Sequence, residues 1–136
     1  MKCVIHPFGS LEMCKYVVTL SFHQGKIVLS RHRQRETWET QGGHIERGET
    51  ALAAARRELW EESGAADYDL RPLCDYWAGD ETGSACGRAF MAEITSFSPL
   101  PGSEMAEIRL FDALPENLTY PDITPVLFAE AQKREC

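Results

Sequence analysis

The chain has 136 residues, 43% of them apolar, enough to bury one substantial core and too few for two comfortable domains, so we expect a single domain over 1–136. Its 14 basic and 21 acidic side chains leave a formal charge of −7, which argues against general nucleic-acid binding, because that affinity comes from cations displacing counterions at phosphates. An acidic protein can still hold phosphates through a divalent ion, since magnesium is bound by carboxylates and phosphate oxygens together.

Residues 16–22, YVVTLSF, are rich in β-branched and aromatic side chains and predict a strand. His23-Gln24-Gly25 then offers a turn, and the apolar run 27–30 completes a hairpin. The polar stretch 31–37 reads as a loop and 38–41 as a short strand. Gly42-Gly43 reads as a point where backbone conformations closed to other residues become available. Residues 50–63, TALAAARRELWEES, are almost all strong helix formers, with Thr50 as N-cap and Gly64 just past the C-terminus. Leu52, Ala55 and Leu59 give that helix an apolar stripe for the core. Further strands are expected over 70–77, 88–94 and 107–111. After Leu114-Pro115, Thr124 can cap a helix whose first residue is Pro125 and which runs through VLFAEAQK. Strands therefore dominate around one central helix, an α/β arrangement.

The five cysteines, Cys3, Cys14, Cys74, Cys86 and Cys136, are odd in number and contain no Cys-x-x-Cys pair, so we expect free thiols in a reducing cytoplasm. The N-terminus lacks an apolar leader and no run of eighteen apolar residues occurs, which predicts a soluble cytoplasmic protein without membrane contact.

The chemistry centres on the helix. Glu58, Glu61 and Glu62 fall at i, i+3 and i+4, which brings three carboxylates onto one face. Like charges at this spacing destabilise a helix, and a bound divalent cation reverses the sign. A solvated acidic face helped by Arg56 and Arg57 is the ordinary explanation for such a triplet alone. Its context changes the reading: Gly43, five residues, Glu49, seven residues, then Arg57-Glu58-Leu59-Trp60-Glu61-Glu62-Ser63-Gly64-Ala65.

That pattern resembles the signature of the Nudix family, and weaker resemblance extends through Trp38-Glu39 and Leu114-Pro115. Two positions depart from it, Ala65 in place of a larger aliphatic residue and Gln41 where many members carry proline; neither removes a charge. The resemblance implies an α/β/α sandwich with a mixed β-sheet. It also implies hydrolysis of a nucleoside diphosphate derivative by water attack on phosphorus, with Mg2+ (or Mn2+) as cofactor. Glu58, Glu61 and Glu62 would ligate or bridge the metal and the Gly43 carbonyl would add a backbone oxygen. A carboxylate would accept the proton of the attacking water, with Glu58 and Glu62 ranked above Glu104 and Glu107. Glu49 and Arg57 would support the ligands, Arg57 by pairing with a carboxylate.

The short chain is similar to the MutT-like branch, which removes damaged nucleoside triphosphates such as 8-oxo-dGTP. ADP-ribose, nucleotide sugars, dinucleoside polyphosphates and capped RNA are alternatives, and a non-catalytic nucleotide sensor is the alternative of another class. A base pocket needs an aromatic wall and an amide, for which Trp77, Phe90, Phe111 and Asn117 are candidates. Arg31 and Arg33 are candidates for phosphate contact. A homodimer is compatible with the family.

Overall fold

The computed structural model describes residues 1–102 and 104–134. Within them run strands β1 (Lys2–His6), β2 (Tyr16–His23), β3 (Lys26–His32) and β4 (Gln41–His44), helix α1 (Ala51–Ser63), strands β5 (Ala65–Asp80), β6 (Gly83–Phe97) and β7 (Met105–Phe111), and helix α2 (Thr124–Arg134). The strands lie in the order β1-β5-β6-β2-β3-β7. One edge of β2 pairs in parallel with β6, and its other edge is divided, the first half taken by β4 and the second by β3. The remaining pairings are antiparallel, so the sheet is mixed, as expected.

Local chemistry explains the best-defined pieces. Gln24 (φ 51) and Gly25 (φ 80) are both left-handed and close β2 onto β3 with His23 opposite Lys26, the two-residue turn whose twist suits a hairpin. Thr50 caps α1 by accepting from the Ala53 N–H at 3.1 Å, and Gly64 ends it at φ 74, where its N–H reaches the Trp60 carbonyl at 2.9 Å. Helix α2 starts at Thr124, the expected cap, one residue earlier than the expected first residue Pro125, a difference within the ordinary ambiguity of helix ends.

Alternation along β2 sends its side chains to two cores. Val17 packs with Ala54, Ala55 and Phe90 under α1, whereas Leu20 packs with Tyr76, Leu127 and Phe128 under α2. A helix on each face of one mixed sheet is the α/β/α sandwich that the sequence implies.

Several expectations need correction. The apolar stripe of α1 is turned: Ala54, Ala55, Leu59, Glu62 and Ser63 are buried and Leu52 is exposed. Small alanines let the helix approach β2 closely, which a leucine at that contact would prevent. Strand β1 was not expected; its five residues form an edge against β5 with alternating partial burial, too short a pattern to stand out. Arg31 and His32 belong to β3 rather than to a loop, with a bulge between them. Gly42 and Gly43 are extended within β4 and neither has a left-handed φ. They are needed for close approach, since a Cβ on Gly42 would lie 2.3 Å from the Val17 carbonyl oxygen.

The cysteines also differ from expectation. Cys14 and Cys86 form a disulfide, while Cys3 and Cys74 are free thiols and Cys136 lies outside the described residues. The parallel register begins with Tyr16 opposite Gly87, so Cys14, two residues ahead of β2, meets Cys86, which lies within β6 just before that pairing starts. Nothing in a spacing of 72 residues announces that encounter. Among the described residues no helix is long and apolar enough to cross a membrane.

Candidate functional site

Strand β4 and helix α1 face each other across the first half of β2, and the acidic residues fill the seam. The Glu58 carboxyl lies over Gly43 so closely that a Cβ there would come within 2.8 Å of it. Glu62 Oε1 accepts the Gly42 N–H at 2.7 Å. Glu62 is only 9% exposed, and Glu61, one residue before it, keeps a more open side chain.

Arg57 ties the cluster together. Its Nε and Nη2 donate to the two oxygens of Glu49 at 2.8 and 3.0 Å, and its Nη2 also reaches the His44 carbonyl at 3.0 Å. Its Nη1 donates to Glu58 and, at 3.4 Å, to Glu61. A planar fork can serve this many acceptors at fixed angles; an ammonium cannot.

The electrostatic consequences differ along the row. The Arg57 guanidinium and the Glu46 N–H hold the Glu49 carboxyl down to about 2. Burial pushes Glu62 up to about 8, against the pull of the Gly42 N–H and with the push of Glu58, Glu39 and Glu104. Burial also raises Glu58, with Arg57 opposing and Glu61 and Glu104 adding. Carboxyl groups held high by burial beside other acids mark a candidate functional site, and a divalent cation placed among them would favour their charged forms.

Among the described residues no three His, Cys, Asp or Glu side chains converge as a ready-made cage. The reason is visible in the pairings: Arg57 holds Glu58 and Glu61, and the Gly42 amide holds Glu62. Magnesium takes only one or two carboxylates beside water and phosphate oxygens. A hard-oxygen donor set of clustered carboxylates, graded from buried Glu62 to open Glu61, therefore fits such an ion.

The other candidates fall in different places. Glu104 stands at the rim, close enough to raise both Glu58 and Glu62, with its carbonyl accepting the Arg33 N–H at 2.9 Å; the Arg33 side chain is exposed. Glu107 is occupied by Arg31 at 3.0 Å and Arg109 at 3.5 Å. Phe90 is core beneath α1 and packs edge-on against Phe8. Phe111 packs edge-on against Trp38. Asn117 donates to the Glu36 carbonyl at 3.0 Å, a turn role. None of these three, nor Trp77, lines the cavity that opens beside the glycines.

That cavity, of about 310 Å³, is walled by Tyr16, Tyr76, Tyr120, Leu127 and Glu39, with Gly42 and Gly43 as part of its floor. Tyr76 rather than Trp77 faces it because the bulge between Pro72 and Cys74 shifts the alternation of β5 by one residue. A larger shallow groove of about 780 Å³ along β5 and β6 shares no residue with the acidic cluster.

Gln41 is another residue that motif reasoning underrated. Its buried amide accepts from Ser21 Oγ at 2.7 Å and donates to the Val28 carbonyl and to Ser30 Oγ, while Ser30 Oγ donates to the Glu62 carbonyl at 2.7 Å. The departure from proline thus buys a polar relay that anchors the end of α1 to the sheet.

The comparisons with known proteins agree with this architecture. The family described as NUDIX domain matches residues 16–121. Phosphatase NudJ of Escherichia coli strain K12 is 36% identical over 64 residues, 47% of this chain and 33% of that protein, so the match spans about a third of that relative's length. A mutant of the Bacillus subtilis pyrophosphohydrolase BsRppH superposes with a TM-score of 0.79 at 24% identity, covering 97% of this chain and 90% of that one. The NUDIX domain of Shewanella oneidensis NrtR, crystallised with ADP ribose, gives a TM-score of 0.74 at 16% identity over 93% and 90% of the two chains. With the family match spanning the site helix and most of the sheet, the chain belongs to the Nudix family.

Proposed function

We propose that the protein is a divalent-metal-dependent pyrophosphohydrolase that cleaves a phosphoanhydride bond in a nucleoside diphosphate derivative. Its favoured substrate is a nucleoside triphosphate, oxidised or not, converted to monophosphate and pyrophosphate. The observation that carries the reading is the pair of carboxyl groups, half-buried Glu58 and buried Glu62, pressed against the Gly42-Gly43 backbone.

Glu58, Glu61 and Glu62 would hold magnesium with the Gly43 carbonyl. Bound there, the ion would neutralise phosphate oxygens and acidify a water molecule. The chain's own contribution is orientation and proton transfer. The Gly42 N–H fixes one oxygen of Glu62 and leaves the other able to take a proton from an attacking water. In the metal-free protein burial raises the proton affinity of that carboxyl, which makes it a stronger proton acceptor than an exposed one. Arg57 acts through the acids it aligns, keeping Glu58 and Glu61 on the seam and tying Glu49 to the helix.

The test is product analysis by chromatography after incubation with magnesium and 8-oxo-dGTP, dGTP, ADP-ribose, a nucleotide sugar or a diadenosine polyphosphate. Magnesium-dependent cleavage, lost by orders of magnitude in Glu61→Gln or Glu62→Gln while the fold persists, is the expected result. A fully active double variant would remove these carboxylates from the mechanism.

A further inference from the structure

We propose that the cavity beside Gly42-Gly43 is a nucleobase site that selects guanine, with Glu39 accepting from its donor edge and the Tyr76 hydroxyl donating to an acceptor of the ring. The proposal rests on the nucleotide reading above and names the base that this chain takes.

The space has the size for one base with part of its sugar, about 310 Å³, at the small end of ligand pockets. Tyr16 and Tyr120 offer flat rings, and Leu127 an apolar wall, against which a planar heterocycle can pack. Gly43 belongs both to this cavity and to the acidic seam, where Glu58 lies against it. A base seated here would therefore leave its phosphates beside the helix carboxylates.

Two polar groups in the wall are more than nine-tenths buried yet incompletely bonded. Glu39 is 8% exposed. Its Oε1 takes both available donors, Arg35 Nη1 and Thr119 Oγ1, each at 3.0 Å, and its Oε2 has no hydrogen-bond partner among the described residues. Tyr76 is 7% exposed and its hydroxyl likewise has none. No enclosed side-chain oxygen among the described residues lacks a partner, so these two atoms reach open space rather than packed interior. Gly87, across the strand pair from Tyr76, fixes the ring: a Cβ there would lie 2.3 Å from it. Polar atoms in a confined wall that no protein group occupies are the ones a ligand with a matching polar edge can pair with.

The chemistry selects among bases. A carboxylate only accepts hydrogen bonds. Guanine alone presents two adjacent donors on one edge, the ring N1–H and the exocyclic amino group. Uracil and thymine flank their single N–H with carbonyl oxygens, which a carboxylate repels. Adenine and cytosine set an acceptor nitrogen beside their amino group. Arg35 and Thr119 hold Glu39 from behind, and the Tyr76 hydroxyl is free to donate to an acceptor of the bound ring.

Equilibrium dialysis of GMP, AMP, CMP and UMP against the full chain, without divalent cation, tests this directly. We expect GMP to bind about tenfold tighter than the others, Glu39→Gln to erase most of that preference, and Tyr76→Phe to weaken GMP several-fold. Circular dichroism checks that each variant is folded; should Glu39→Gln not fold, the wild-type comparison and Tyr76→Phe still decide. Equal affinity for the four nucleotides, or an undiminished GMP preference in folded Glu39→Gln, overturns the proposal. Metal-dependent hydrolysis indifferent to the base would sink the guanine site and leave the hydrolase. Selective GMP binding without turnover of any guanine nucleotide would do the reverse.

Discussion

Glu62 shows how much one buried side chain decides. Its folded-state proton affinity is raised to about 8 from an ordinary value of 4.5. The folded protein therefore binds this proton more tightly than the unfolded chain does. The stability it contributes is complete below pH 4.5 and is lost as pH rises through 8. Metal-free Glu62→Gln, which stays neutral and can still accept the Gly42 N–H, should melt above metal-free wild type at pH 9, with the gap closing near pH 4.5. Magnesium should raise the wild-type melting temperature at pH 9 and leave the variant's almost unchanged. Identical melting curves at pH 9 would contradict the burial argument. Arg57→Lys should weaken magnesium binding and kcat/KM about tenfold or more, because an ammonium cannot grip Glu49 with two bonds while reaching Glu58; kinetics over a magnesium titration would show it.

At the scale of elements, the paired glycines of β4 do different work. A methyl on Gly42 would strike the Val17 carbonyl, a backbone atom that cannot move without opening the β2–β4 ladder. A methyl on Gly43 would first meet the end of the Glu58 side chain, which can swing away. Gly42→Ala should thus cost about 2–3 kcal/mol of stability. Gly43→Ala should leave the fold nearly untouched and remove most activity, through displaced Glu58. Urea melts set beside turnover measurements separate the two, and equal stability losses would refute the distinction. This is also where sequence reasoning reached its limit. The helix, its caps and the hairpin were legible because each rests on contacts within a few residues, such as Thr50 with Ala53 or Gln24 beside Gly25. The cavity wall was not: Tyr76 faces it only because a bulge in β5 shifts the alternation, and Trp77 is turned to the other face. Gln41, read as a simple departure from proline, takes its importance from Ser21, Val28 and Ser30 on other strands.

Across the whole molecule, the parallel pairing of β2 with β6 is the long-range decision on which the rest depends. The Cys14–Cys86 link stands at its entrance and closes a separation of 72 residues. Loop-closure entropy sets its contribution at up to about 4 kcal/mol, so reduction or the Cys14→Ser/Cys86→Ser pair should lower the denaturation midpoint substantially. A midpoint unchanged by reduction would mean that the pairing of the strands is secured without it. Behind the link, fully buried Asp75 holds Arg88 with two bonds and takes the Leu11 N–H at 3.0 Å, so the segment before β2 is anchored a second time. The acidic signature was legible without any of this; its seat between sheet and helix follows only from topology.

The bond between the Gly42 amide and Glu62 means that a side chain stands where a neighbouring strand would otherwise sit. Among the described residues strand β4 pairs with β2 alone, and its outward amide looks to an acid that the proposed chemistry must also use. The backbone proton of Gly42 should therefore act as a spectroscopic gauge of the site. Its NMR resonance and its exchange with deuterium should shift as magnesium is added or as Glu62 titrates, whereas amides facing β2 stay still.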